Sequence, residues 1–296
     1  MKKTSVAVHS GEFHADDVFA VATLAIFLGV ELGDLDIKRT RDEEVLKSAD
    51  YVLDVGFVND GETRFDHHQE GSAGKRDDGI PYATFGLVWK KFGEKICGDK
   101  EIADLIKKKI VEPVDAEDNG IDIYKSLFED IRPFTYSRVI FAMNPTWKEG
   151  GKNNFEDFSK AVSLTKNILE REIKRAKDFF EAKPIVLQKY NEAEDKRIII
   201  LDGEYPYEEV LKDFSEPLYI VKRSGTEGNF GVYCMQDPES FVCRKDLPES
   251  WAGKTDEKLA EITGVKDSVF CHTKRFMCVA KSKEGAIELA KIAINS

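Results

Sequence analysis

The chain has 296 residues, of which 42% are hydrophobic and 33% charged, with a formal net charge of −11. This length predicts about two globular domains, and the negative charge excludes a protein that binds nucleic acid through a broad basic surface. No apolar stretch approaches the roughly 20 residues that span a bilayer. With no recognisable signal or transit peptide, we expect a soluble, cytoplasmic protein. The five cysteines form no Cys-x-x-Cys pair, which argues against a structural zinc site.

The first half of the chain alternates short β-rich runs with helical stretches. In order, the sequence predicts a buried strand at residues 4–9, a buried helix that begins near Asp16, strands at 36–40 and 51–56 with a charged helix between them, and helices at 82–97 and 101–112. This alternation is typical of an α/β fold with a doubly wound, mainly parallel sheet.

A long charged helix is predicted next, over residues 155–193, with a stop or kink at Pro184. Its apolar positions are Phe158, Val162, Thr165, Leu169 and Ile173. Strands predicted at 197–205, 217–223, 229–235, 267–272 and 275–281, with helices at 255–263 and from Glu284, form a smaller α+β domain. We therefore predict a catalytic domain at 1–150, a helical linker at 151–195 and a C-terminal domain at 196–296.

Four of the five histidines lie near acids at the ends of predicted elements. His9 ends the first strand, His14 and Asp16 lie where the first helix begins, and Asp54 ends a later strand. The other candidate residues are Asp66, His67, His68, Asp115 and Asp118. Because doubly wound sheets bind ligands beyond the carboxyl ends of their strands, loops from separate strands can bring these side chains to one edge.

Each residue taken alone has a simpler interpretation. Asp16 and Asp17 fit the acids that a helix dipole favours at its N-terminus, Asp54 could open a turn, and Asp118 with the following Asn-Gly fits turn chemistry. Their joint occurrence favours a metal centre instead. Carboxylates with imidazoles and no thiolates suit Mn²⁺ or Mg²⁺, and two such ions about 3.5–4 Å apart hydrolyse phosphate esters and anhydrides.

A series of motifs runs nearly end to end: SGEFHADDVFA, RTRD, VLDVG, RFDHHQ, VDAEDNGI, NPTW, LPESWAG and SVFCHTKRF. In this order they resemble the melanocyte-proliferating-gene-one family of metal-dependent hydrolases, a branch of the DHH phosphoesterase superfamily. The resemblance implies a DHH-type N-terminal domain that holds two divalent metal ions. It also implies phosphoesterase activity, because eukaryotic members are described as 3′-to-5′ RNA exonucleases.

Roles for single residues also follow from the resemblance. It implies that the metal ligands are His9, His14, Asp16, Asp54 as the bridging carboxylate, His67, and either Asp115 or Asp118. His68 would be the catalytic histidine and Asp66 would orient it. His272 and Arg275 match the family's substrate-binding segment, so we expect the C-terminal domain to close over the metal edge and hold a phosphate or nucleotide there.

The sequence departs from the family pattern where a glycine pair is expected near Cys278 and Val279, which leaves the substrate open. We predict a metal-dependent phosphoesterase, specifically a 3′-to-5′ exonuclease acting on single-stranded RNA or short oligonucleotides. The alternatives are a small-molecule phosphatase or pyrophosphatase, and a non-catalytic regulatory module that kept the fold. A thiol nucleophile at Cys271 is less favoured because no third group supports it. The native metal and the oligomeric state, including a homo-oligomer, stay open.

Overall fold

The structure is a computed structural model that describes residues 3–149, 154–225, 228–236 and 242–296. Its chain divides into two compact units, Met1–Lys177 and Asp178–Ser296. The domain boundary predicted between residues 150 and 151 lies outside the described residues, and the three-part division therefore stays a prediction.

A parallel sheet forms the centre of the first unit. Its strands are β1 (Thr4–Val8), β2 (Leu35–Arg39), β3 (Tyr51–Leu53) and β4 (Arg64–Phe65), in the spatial order β2-β1-β3-β4. All three strand pairs are parallel. The chain passes from β2 to the other side of β1 before it forms β3, so the topological switch point of the sheet lies between β1 and β3. Such a point is where open α/β sheets bind ligands, and the predicted α/β class is confirmed.

Helices pack around this sheet. They are α1 (Ala15–Leu28), α2 (Glu43–Ser48), α3 (Thr84–Cys97), α4 (Lys100–Ile106), α5 (Glu112–Asp118) and α6 (Tyr136–Phe141), with a 3₁₀ turn at Leu32–Asp34 and a π-helical turn at Lys107–Val111 between α4 and α5. Helix α1 is buried continuously from Ala15 to Ala25, as its apolar sequence predicts. It packs against α3, where Phe19 stacks on Phe85 with ring centroids 4.5 Å apart. The apolar run at 18–30 is therefore a core helix that carries the acids of its first turn into the interior.

The long helix α7 (Phe155–Glu192) contains Pro184 and continues beyond it, so the helix does not stop there. Proline removes one backbone hydrogen bond from a helix. Pro184 itself is exposed, but Val186 and Tyr190 beyond it are buried in a cluster of the second unit. That burial offsets the lost hydrogen bond. On the N-terminal part of α7, all five residues of the predicted apolar stripe are buried.

The second unit is built on a mixed sheet in the order β5-β6-β7-β9-β8. Its strands are β5 (Ile198–Ile200), β6 (Tyr219–Ser224), β7 (Asn229–Cys234), β8 (Ser268–Cys271) and β9 (Met277–Ala280). Its helices are α8 (Tyr207–Leu211), α9 (Asp256–Thr263) and α10 (Lys283–Asn295), with a 3₁₀ turn at Glu249–Trp251. Tyr219, Trp251, Leu259 and Leu289 are buried together in its core. Nowhere in the described ranges is a helix long and apolar enough to cross a membrane.

Candidate metal centre

Three of the candidate residues follow directly after parallel strands of the first unit. His9 comes after β1, Asp54 after β3 and Asp66 after β4. These strands are neighbours in the order β1-β3-β4, so their carboxyl ends meet at one edge of the sheet. The first turn of α1, with Asp16 and Asp17, is buried at the same place.

Asp54 occupies the centre of this edge. Its backbone is left-handed, with φ +58°, a conformation that few residues except glycine, asparagine and aspartate adopt readily. Asp54 Oδ2 lies 3.3 Å from His9 Nε2, whereas Asp54 Oδ1 lies 3.4 Å from His67 Nε2. The Thr84 hydroxyl donates to Oδ1 at 2.8 Å and fixes the carboxylate. The two oxygens of one carboxylate therefore face two different imidazoles.

Carboxylates surround His67 on several sides. Besides Asp54, its Nε2 lies 3.4 Å from Asp118 Oδ2 and 3.7 Å from Asp16 Oδ2. Asp118 reaches this position from the last residue of α5, and Asp16 from the first turn of α1. One imidazole nitrogen and three carboxylates thus converge on one point.

The loop between β1 and α1 brings a second set of groups to the other side of Asp54. His9 Nε2 lies 2.7 Å from Asp17 Oδ2, and the His9 and His14 rings stack with centroids 5.9 Å apart. Asp17 Oδ1 also accepts a hydrogen bond from the His14 N–H at 3.2 Å, at the start of α1. From the sequence, Asp17 is expected only as an acid at the N-terminus of the helix, so its place in this site is a finding of the structure. Asp17 directly follows Asp16, so the sequence pattern does not distinguish an acid that stabilises the helix N-terminus from an acid of a metal site.

Two motifs far away in sequence hold the loop that carries His14. Asn144 accepts from the Phe13 N–H at 3.0 Å and donates to the Phe13 carbonyl at 2.8 Å. Arg39, at the end of β2, donates to the Gly11 carbonyl at 2.7 Å and to Asn154. Its guanidinium also lies 5.5 Å from the Phe13 ring centroid. The RTRD and NPTW motifs therefore position a loop of the site.

His68 and Asp66 form a separate pair. Asp66 Oδ1 lies 2.8 Å from His68 Nδ1 and accepts from the His68 backbone N–H at 3.0 Å. Its other oxygen accepts from the Phe57 N–H at 2.6 Å. The His68 side chain is 52% exposed, whereas that of His67 is 10% exposed. The neighbouring histidines thus have different surroundings: His67 lies among buried carboxylates, whereas His68 is half-exposed and its Nδ1 also lies 3.5 Å from Asp54 Oδ1.

Burial and hydrogen bonding shift the pKa values of several side chains at this edge. Burial, followed by repulsion from Asp54 and Asp118, raises the pKa of Asp16 well above its usual value. Burial also raises the pKa of Asp17 and of Asp118. For Asp66 burial acts against ionisation, but hydrogen bonds from His68 and Phe57 lower its pKa. The hydrogen bond to Asp66 in turn raises the pKa of His68.

These groups fit divalent cations. Three sets of side chains offer ligand atoms within 4.8 Å of one another, namely His9, Asp17 and Asp54; Asp54, His67 and His68; and His14, Asp16 and Asp118. Both carboxylate oxygens of Asp16 are buried and accept no hydrogen bond from the described residues. Buried anions are costly unless they are paired or bind a metal. A divalent cation would meet this need, and the nitrogen and oxygen donors match Mn²⁺ or Mg²⁺.

Asp115 lies on the same helix as Asp118 but has other partners. It is fully buried, accepts from Arg76 Nη2 at 2.6 Å and accepts from the Gly86 N–H at 3.0 Å. Burial raises its pKa to about 7, against the effect of Arg76. None of the three sets of potential ligands contains Asp115.

The remaining sequence candidates lie in the second unit. His272 and Arg275 belong to the turn between β8 and β9, where Arg275 N–H donates to the His272 carbonyl at 2.8 Å. Arg275 has a left-handed backbone, with φ +61°, and its guanidinium pairs with Asp246 at 2.9 Å. The neighbouring Cys271 is buried, and burial raises the pKa of its thiol to about 11. That thiol is therefore poorly suited to act as a nucleophile.

Together the fold and the site define an α/β protein with a candidate divalent-metal centre at the carboxyl edge of its parallel sheet. A family model for the MYG1 exonuclease family, described as an uncharacterised protein family (UPF0160), matches residues 5–294. The chain belongs to this family. The predicted membership of the melanocyte-proliferating-gene-one family is confirmed.

Relatives align over almost the whole chain. A MYG1 protein of Schizosaccharomyces pombe is 31% identical over 326 residues, which cover 98% of this chain and 97% of that protein. The MYG1 exonuclease of Homo sapiens is 29% identical over 335 residues, which cover 99% of this chain and 86% of that protein. Among solved structures, a pGpG-specific phosphodiesterase, PggH from Vibrio cholerae, aligns with a TM-score of 0.30 and 13% identity over 100% of this chain and 98% of that one. A likeness this low supports no conclusion about fold or function.

Proposed function

We propose that the protein is a metal-dependent phosphoesterase of the DHH type that binds two divalent ions, Mn²⁺ or Mg²⁺. The observation that carries the proposal is the position of Asp54, whose two oxygens face His9 on one side and His67 on the other. One site would be formed by His9 and Asp54, with Asp17 beside His9, whereas the ligand atom of His14 lies with those of Asp16 and Asp118 on the side of the second site. The other would be formed by Asp16, Asp54, His67 and Asp118. Asp118, and not Asp115, is the acid that we assign as a ligand.

Divalent ions held here would supply Lewis-acid activation of a phosphate group and of water. The chain's own contribution to catalysis would come from His68. Its Nδ1 lies against Asp66, so Nε2 is the nitrogen left to meet a substrate. Asp66 stabilises the protonated ring, which can then give the Nε2 proton to a leaving oxygen. Asp66 would thus act as a positioning residue and His68 as the catalytic residue.

We further propose that the substrate is single-stranded RNA or a short oligonucleotide, degraded from the 3′ end in the cytoplasm. The support comes from relatives named MYG1 exonuclease. A small-molecule phosphatase or pyrophosphatase uses the same metal chemistry and is the second candidate. A non-catalytic module is the third, but it gives no physical reason for keeping buried, mutually repelling carboxylates, which cost stability when no cation is bound.

Purified protein reconstituted with Mn²⁺ or Mg²⁺ tests these candidates. We expect elemental analysis to find two ions per chain, and end-labelled single-stranded RNA to shorten from its 3′ end. Asp54→Asn is the matched control, because asparagine tolerates the left-handed backbone but lacks the second carboxylate oxygen. Cleavage of pyrophosphate alone would favour the second candidate. Two bound ions with no turnover of RNA, DNA, dinucleotides or pyrophosphate would favour the third.

Substrate binding by His272 and Arg275 is a separate proposal. Arginine can hold a phosphate through two parallel hydrogen bonds. The guanidinium of Arg275 forms an ion pair with the half-exposed Asp246. We expect Arg275→Ala to raise KM for an oligonucleotide while metal content stays the same. Asp246→Ala removes the competing carboxylate and should lower KM. Unchanged kinetics in both variants would remove this turn from substrate recognition.

A further inference from the structure

A cavity of about 670 Å³ opens directly beside the candidate metal centre. His14 and Asp118, both proposed ligands, line one side of it, and its other walls come from the segments 117–124 and 134–142. All of these residues lie in the first unit. The volume lies within the range of about 300–1,000 Å³ that small-molecule sites occupy. A group bound in this cavity would therefore lie next to whatever the metal centre holds.

An aromatic ring forms part of the wall next to the metal centre. The Phe141 ring lies nearly parallel to that of His14, at an interplanar angle of 7° and a centroid distance of 6.5 Å. Phe141 is nevertheless 51% exposed. Exposed aromatic faces at the edge of a polar site are suited to stack planar rings, and nucleic-acid bases stack on such faces whatever their sequence.

The charges of the cavity limit what it can hold. Its lining contains Glu117, Asp118 and Asp122 against a single cation, Arg138, for which the described part of the chain provides no ion pair. An excess of carboxylates repels additional phosphate groups. The same carboxylates accept hydrogen bonds from hydroxyl and amino groups, which ribose and the bases carry.

We propose that this cavity binds the nucleoside attached to the phosphate at the metal centre. Its base stacks on Phe141, and Glu117 and Asp122 accept hydrogen bonds from its ribose hydroxyls. The inference rests on the proposed function and narrows it, since the substrate is then a nucleotide chain end and not a phosphate without a base. Phe141 is a specificity-determining residue in this view, and it takes no part in the chemical step.

Calorimetric binding to the full chain, reconstituted with Mn²⁺, tests the inference independently of turnover. The probes are adenosine 5′-monophosphate and ribose 5-phosphate, which differ only by the base. We expect the nucleotide to bind about 10- to 100-fold more tightly, as stacking on one aromatic side chain provides. Phe141→Leu keeps apolar volume without a ring and should abolish the preference, whereas Phe141→Trp should retain it.

Phe128→Ala is the control, because Phe128 is 67% exposed and does not line the cavity. It should leave the preference unchanged. Equal affinity for both probes in the unmodified protein, or a preference that survives in Phe141→Leu, would overturn the inference.

Failure of the proposed function would give a different result. If the protein prefers the nucleotide but leaves RNA intact, the result contradicts only the proposed nuclease activity. If it degrades RNA with normal and abasic 3′ ends equally well, the result contradicts only the proposed nucleoside cavity.

Discussion

At the scale of single residues, the adjacent histidines His67 and His68 have different partners in the site. His67 turns into a group of three carboxylates, whereas His68 turns outwards and is held by Asp66. The two rings nevertheless lie in contact, with centroids 4.1 Å apart, so the two histidines differ in their hydrogen-bond and ionic partners and in their exposure.

Substitution of each histidine should separate the two roles. We expect His67→Ala to reduce the metal bound per chain, since it removes a nitrogen donor from the buried group. His68→Ala should retain metal but lower kcat by about 10²- to 10⁴-fold, the usual contribution of a positioned acid or base. Elemental analysis and single-turnover kinetics on the same preparations measure both effects. Equal metal loss in the two variants would show that the roles are misassigned.

Asp115 and Asp118 offer a second comparison between residues of one helix. We expect Asp118→Asn to impair metal binding with a small effect on the metal-free protein. Asp115→Asn should leave metal binding intact but lower the free energy of unfolding, by at most about 3–5 kcal/mol, because the buried Arg76 then keeps only the longer contact of 3.8 Å to Glu112. Urea denaturation in the presence of a chelator measures stability without a contribution from bound metal. Metal loss in Asp115→Asn at full stability would contradict this assignment.

At the scale of elements, α3 and α5 are in direct contact at Gly86. A Cβ there would overlap the Asp115 carboxylate and the Arg76 guanidinium. The Gly86 N–H also donates to Asp115. The missing side chain thus leaves room for a buried ion pair that fixes α5, the helix that ends at Asp118.

Gly86→Ala should therefore destabilise the protein although alanine is the better helix former. We expect a loss of about 1–3 kcal/mol in the free energy of unfolding, the usual cost of overpacking, together with weaker metal binding. Gly33→Ala is the control, since no atom lies within 4 Å of its added Cβ, and its effect should stay within about 0.5 kcal/mol. Equal stability of the two variants would mean that the ion pair can shift without cost.

The sequence predicts those elements that carry a periodic pattern. The buried strand β1, the core helix α1 and the stripe along α7 are all confirmed. Strand β4, with only Arg64 and Phe65, is too short to show a period, and the sequence does not predict it. Thr84 was also missed as a partner of Asp54, because their contact joins residues 30 positions apart. Asp115 and Asp118 share a helical spacing, so only tertiary partners distinguish them.

At the scale of the whole molecule, every proposed metal ligand lies in the first unit, Met1–Lys177. Burial, with repulsion from Asp54, raises the pKa values of Asp16 and Asp118, so the metal-free state carries an electrostatic cost that cations would relieve. Ligand binding to the native state alone stabilises a protein in proportion to the logarithm of ligand concentration. Metal should therefore affect folding as well as catalysis.

We expect Mn²⁺ to raise Tm of chelator-treated protein. With free Mn²⁺ a hundredfold above Kd, each independent site contributes about 2.7 kcal/mol. Differential scanning calorimetry with and without Mn²⁺ measures the shift, and K⁺ at equal ionic strength controls for screening of the net charge of −11. Asp54→Asn should lose most of the shift. A shift of the same size with K⁺ would trace it to general screening and not to a site.

The π-helical turn Lys107–Val111 restricts insertions and deletions in this part of the chain. Each residue added to or removed from a helix rotates everything beyond it by about 100°, and a π turn is accommodated as one extra residue within an α-helix. Deleting one residue from this turn would give a more regular helix, yet it would swing Asp115 away from Arg76 or Asp118 away from His67. At its exposed positions, Lys108 and Lys109, this turn should accept replacements, but it should accept no change in the number of residues. The turn then matters mainly because its number of residues sets the direction in which Asp115 and Asp118 point from the helix axis.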